Sequence, residues 1–254
     1  MTAAIPAGMP DGHPNTHGMN RERWRRRAQR ASDAFGLVLL LVLLTYVLAS
    51  VLSNRSWGAV LLTIVAGATS VVALTSSRAR PVFIRRALLL AVLAVLLAVV
   101  SAATGGRHWL SAANLIEIGL LAVAMGAVLR RVLTADNVSS RTILGAISVY
   151  ATLGILFTWA YGLIDRLEGG GFFGEGVVVQ GSDFLFFSYT TLTTTGYGDL
   201  VPAGQVGRMI SGLEMMIGQV FLVTLVAGLV SLWRPGEGLL RRRSERPVDQ
   251  APGS

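Results

Sequence analysis

The chain has 254 residues, of which 52% are hydrophobic and 14% charged, with a formal net charge of +8 and no cysteine. So few charges, where a water-soluble domain carries about 25%, mean long uncharged runs and a membrane protein. The lack of cysteine excludes disulfides, thiol catalysis and thiolate metal sites.

Every basic residue is arginine. The basic excess does not point to nucleic acid, because the arginines cluster where a membrane protein needs them. Residues 1–33 are expected to form a basic, disordered cytoplasmic tail. Its His13 and His17 read as solvated tail residues rather than a metal pair, and "RERWRRRAQR" leads into the first apolar run as a membrane-flanking anchor. Crossing about 30 Å of hydrocarbon takes about 20 apolar residues as helix. Six segments serve: Ala34–Leu52, Trp57–Ser76, Ala87–Thr104, Trp109–Leu129, Thr142–Ile164 and Met209–Trp233. The tails and the loops after the second and fourth spans hold 18 arginines, including Arg85, Arg86, Arg130 and Arg131. The other side holds 4, at Arg55, Arg107, Arg166 and Arg208. Both termini are therefore expected in the cytoplasm of a cell-membrane protein. The expected division is a four-helix transmembrane collar at 34–132, a second unit at 141–233 and a basic cytoplasmic tail at 234–254. No fused cytoplasmic ligand-binding domain is expected past Trp233.

The connection between the fifth and sixth spans is unlike the rest. "DRLEGGGFFGEGVVVQGSD" is glycine-rich and acidic, and reads as an exposed turret. "DFLFFSYTTLTT" follows, apolar and aromatic. As a helix it reaches roughly 18 Å, too short to cross. Ser182 is its expected N-cap, with Asp183 on the positive end of the helix dipole. A half-membrane helix followed by "TTTGYGD" describes a re-entrant loop, and irregular backbone at that depth is tolerated only when buried in protein or lining a water-filled path. An ion leaving water needs replacement oxygens. Successive carbonyls supply them if the backbone alternates into left-handed angles, which Gly196 and Gly198 take without steric cost.

"TTTGYGD", with the aromatic helix before it, resembles the pore loop of tetrameric potassium channels. The resemblance spans about Ile143–Trp233. It implies an all-α membrane protein of six transmembrane helices, with a re-entrant pore helix and selectivity filter between the last two and a tetrameric pore. It assigns potassium coordination to Thr194, Thr195, Gly196, Tyr197 and Gly198, and filter support to Asp199, Thr190, Phe186 and Phe187. Phe186 and Phe187 replace two tryptophans of the best-known members, and Thr190 a glutamate, so Asp199 loses its usual partners. In "EMMIGQVFLV" the resemblance makes Gly218 the gating hinge, with Gly228 as a second position. Glu214 has two readings: a carboxylate that tunes ion or proton access, or a buried group hydrogen-bonded to pore-helix hydroxyls. The latter is preferred.

The fourth span has arginines only at its cytoplasmic end and one charge, Glu117, inside it. Strong voltage sensing is not expected, and Glu117 reads as an interfacial residue. Gly67, Ala68 and Gly126 are small enough to allow close helix contacts. The functional expectation is passive, potassium-selective conduction by a homotetramer among membrane lipids. No enzyme activity, nucleic-acid partner or cofactor beyond the permeant ion is implied. The alternative is a non-conducting or regulatory membrane subunit that retains the loop.

Overall fold

The computed structural model describes residues 35–52, 56–134 and 140–232. Both basic tails assigned from sequence fall outside these residues. The described residues form seven helices and no strand: α1 (Phe35–Leu52), α2 (Ser56–Ser76), α3 (Pro81–Thr104), α4 (Arg107–Leu133), α5 (Ser140–Leu167), α6 (Gly181–Leu192) and α7 (Gln205–Leu232). All but α6 are long and apolar enough to cross a membrane.

The helices outrun the apolar segments at several ends. Arg85 and Arg86, expected in a loop, lie inside α3, and α7 begins at Gln205 rather than Met209. Arginine and glutamine are good helix formers, so hydropathy marks the span but not the helix end. Pro81 opens α3, where its missing N–H costs nothing. Gly105 closes it in the left-handed region (φ 69°), donating to Ser101 O. This gives the short reversal into α4.

α2, α3 and α4 pack on one another, and α4 packs on α5. A stripe of Ala87, Ala91, Ala94 and Ala98 is the buried face of α3. A Cβ on Gly67 of α2 would lie 3.0 Å from Ala91 Cβ, so this glycine does sit at a close contact. Ala68 is exposed, and nothing stands within 4 Å of a Cβ on Gly126. The close packing runs through the alanine stripe, which an unbroken apolar run such as α3 hides.

Glu117 is not interfacial. It is the eleventh residue of α4, about 15 Å from the helix start. It is fully buried over Gly67, with neither oxygen hydrogen-bonded within the described residues. α1 seats on α5 and α6: Ser148 Oγ donates to Phe35 O (3.2 Å), and Tyr46 meets Tyr189 edge-on with ring centroids 5.4 Å apart. Among the described residues α7 packs on α5 and α6, and it is the least buried of the six long helices.

Candidate functional site

α6 is positioned by notches in its two long neighbours. On α5, Gly154 leaves room for the Tyr189 ring, which a Cβ there would meet at 2.7 Å. The Tyr189 hydroxyl donates to Ala151 O (2.7 Å), and the Ser188 hydroxyl reaches Gly154 O (2.8 Å). On α7, a Cβ at Gly218 would fall 2.5 Å from Leu192 O and 2.8 Å from Leu192 Cδ1. Gly218 is thus where the last residue of α6 rests against α7, a packing role not seen from sequence. The Leu192 carbonyl also accepts from Tyr150 Oη (3.1 Å). The start of α6 differs from expectation. The N-cap is Gln180, not Ser182, and its N–H donates to the Asp183 carboxylate (2.8 Å). Asp183 is therefore the third helical residue, where its charge favours the helix dipole and its oxygen satisfies an otherwise free N–H.

Glu214 is, among the described residues, the one charged side chain buried at this junction. Tyr161 Oη of α5 donates to its Oε2 (2.5 Å), and Ser188 Oγ of α6 to its Oε1 (2.6 Å). The carboxyl, fully buried, ties three helices together. Of the two sequence readings, this is the geometry of the hydrogen-bonded one. Tyr161 was not singled out from sequence, because nothing in its spacing connects it with a residue 53 positions away.

The segment after α6 is held by its backbone. Thr190 O accepts from both Thr195 N (2.8 Å) and Gly196 N (3.2 Å), and Thr194 N donates to Thr191 O (3.0 Å). Thr190 meets the segment through its carbonyl, while its hydroxyl donates to Phe187 O (3.0 Å). Thr193 and Thr195 hydroxyls pair at 2.9 Å. Positive φ recurs at every second residue: Thr194 (56°), Gly196 (53°) and Gly198 (80°). For the glycines this costs nothing, but for threonine it costs about 1–2 kcal/mol, and the surrounding bonds must hold it.

The two phenylalanines face different ways. Phe186 stacks on Tyr197, with centroids 5.8 Å apart and planes 12° from parallel. Phe187 lies in a buried cluster with Tyr161, Phe172, Phe173 and Phe184. The connection read as an exposed turret is therefore only partly so. Its glycines lie at the surface or in left-handed turns, but Phe172 and Phe173 are buried. Phe172 O accepts from Ala203 N (2.8 Å), and Arg208 Nε donates to Pro202 O (2.9 Å), clasping the chain as it leaves the segment. Thr193 to Asp199 are exposed, and among the described residues none bonds the Asp199 carboxylate. No three metal-ligating side chains converge among the described residues.

Residues 142–234 match an ion-channel family model. The matched stretch runs from α5 through α6 and the TTTGYGD segment to the end of α7, so it is this part of the chain that is similar to an ion-channel domain. The four helices before it lie outside the match. No curated protein matches the chain.

Proposed function

We propose that the chain is one subunit of a homotetrameric potassium channel, in which α6 is the pore helix and Thr194–Gly198 the selectivity filter. The observation that carries this reading is the alternation of positive φ at Thr194, Gly196 and Gly198, in an ion-channel domain and at the end of a helix too short to cross. Alternating backbone handedness turns successive carbonyls to one side. There the oxygens of Thr194, Thr195, Gly196 and Tyr197 stand in for the water shell of a potassium ion, and the Thr194 hydroxyl adds one more at the inner end. The C-terminal end of α6 contributes its negative dipole.

Phe186, stacked on Tyr197, and Thr190, whose carbonyl holds the Thr195 and Gly196 amides, are the supporting shell of the filter, with Phe187 behind them in the aromatic cluster and Asp199 at the outer end. A single chain supplies only one wall of such a pore. Met209, Leu213, Met216, Val220 and Val223 are exposed along α7 at helical spacing, which gives neighbouring copies an apolar stripe to cover. The arginine distribution orients both termini to the cytoplasm. α4 carries arginines only at its two ends, Arg107 at the start and Arg130 and Arg131 in the last turn, with none between. With about 2.3 kcal/mol per charge per 100 mV, conductance should depend weakly on voltage.

The test is reconstitution into liposomes with opposing potassium and sodium gradients. A reversal potential displaced toward the potassium equilibrium value is expected. A value near zero would remove potassium selectivity. Absence of any conductance would favour the non-conducting subunit.

A further inference from the structure

A cavity of about 170 Å³ opens between α1, α2, α4, α5 and α6. Its lining residues define its depth. Ala49 lies one turn from the end of α1, Ala59 one turn from the start of α2, Asn114 two turns into α4, Arg166 in the last turn of α5, and Gly181 at the start of α6. In a chain of successive antiparallel spans, these helix ends share one membrane face. The cavity therefore sits at the boundary between headgroups and acyl chains rather than at mid-bilayer.

Its polar end is built around Arg166. With its amide nitrogen donating to Leu110 O (3.2 Å), Asn114 presents Oδ1 to Arg166 Nη2. Arg166 Nε is buried and has no hydrogen-bond partner within the described residues. Leaving a guanidinium N–H buried without an acceptor is unfavourable. The neighbouring Asp165 does not supply one: its Oδ1 accepts from Phe172 N (3.1 Å). Asp165 still acts on Arg166 as a nearby opposite charge, and Arg107, also near enough to act electrostatically, adds a second positive charge on this face. Away from Arg166 the walls are largely apolar, with Ala49, Leu62, Ile155 and Leu185 among them.

We propose that this cavity binds a phospholipid, with its phosphate on the Arg166 side-chain charge and the first carbons of an acyl chain along Ala49, Leu62 and Ile155. A phosphate oxygen is the acceptor that a guanidinium edge fits. A free anion would have to leave water for a mostly apolar cleft, whereas a phospholipid brings its own apolar chain to that wall. Gly181 and Phe184 line the same space, so the bound lipid touches the first turn of α6. Neither the site nor its test depends on conduction.

Full-length protein in a phosphate-free detergent, titrated with phosphatidylglycerol and followed by native mass spectrometry, tests the site. Wild type and Arg166→Lys should retain one lipid per chain, while Arg166→Gln and the cavity-filling Ala59→Leu should bind about tenfold more weakly or worse. Ala59→Leu keeps the arginine and serves if Arg166→Gln does not fold. Wild-type binding by Arg166→Gln, or by Ala59→Leu, overturns the proposal. Diacylglycerol should bind more weakly than phosphatidylglycerol, and equal binding would mean an apolar occupant only. Inorganic phosphate at millimolar concentration should leave the lipid in place. Its displacement would make a free anion the occupant and overturn the lipid assignment.

Discussion

Removing the Ser188 hydroxyl should loosen the TTTGYGD segment by way of Glu214. In the native arrangement each carboxyl oxygen of Glu214 accepts one hydroxyl, from Ser188 and from Tyr161, in a site with no solvent access. Ser188→Ala leaves Oε1 buried without a donor, and Tyr161→Phe does the same to Oε2. Each should cost about 1–3 kcal/mol. The double variant strips both donors from a buried acidic group, a loss of about 2–6 kcal/mol if the two add. Glu214→Gln should fall at the low end of the single-variant range. Its amide keeps one acceptor, and the Ser188 hydroxyl already has Gly154 O within reach. Thr190 lies two residues beyond Ser188, and its carbonyl holds the amides of Thr195 and Gly196. Amide hydrogen exchange in a peptide covering 189–198 therefore reads the loosening directly. About 1–3 kcal/mol of lost local stability corresponds to about 5- to 150-fold faster exchange. Unchanged exchange in both single variants would refute the reasoning. Equal acceleration across α2–α4 would refute it too, since it would mean global rather than local destabilisation.

Gly218→Ala puts a Cβ against the backbone oxygen of Leu192, where no rotamer can relieve it. The expected cost is about 1–3 kcal/mol, with reversal potential shifted as well as open probability. A change in gating alone would favour the hinge. Phe172→Ala empties the centre of the aromatic cluster and should cost about 3–5 kcal/mol in thermal or denaturant unfolding. A loss under 1 kcal/mol would show that the cluster does not hold the α5–α6 connection. Glu117→Leu removes a buried carboxyl without a partner among the described residues, and should raise the unfolding midpoint by about 1–3 kcal/mol equivalent. A lowered midpoint would reveal a partner for Glu117 in the assembled protein. Gly196→Ala places a side chain at φ 53° and should abolish ion flux while the six long helices still form, as checked by far-ultraviolet circular dichroism.

Hydropathy alone located the six long helices, because about 20 apolar residues have few alternatives to a span. The glycine spacing at Gly196 and Gly198 likewise foretold left-handed backbone, since local sterics determine it. What needed the tertiary structure was every relation between distant residues. The stripe of buried alanines on α3, spaced by four, three and four residues, is invisible in an apolar run, since lipid-facing and helix-facing positions there have similar chemistry. Glu117 was misplaced for the same reason: a carboxyl's depth depends on which helices close over it. Phe172 and Phe173 look like part of a polar loop until the start of α6 folds onto them. Thr190 was read by its side chain, yet it meets the segment through its carbonyl, a group every residue carries and no sequence displays. Glu214 was legible as a buried acid needing donors. That Tyr161 and Ser188 supply them follows only from three helices meeting at one point, where a buried carboxyl is tolerated only if its hydrogen bonds are made.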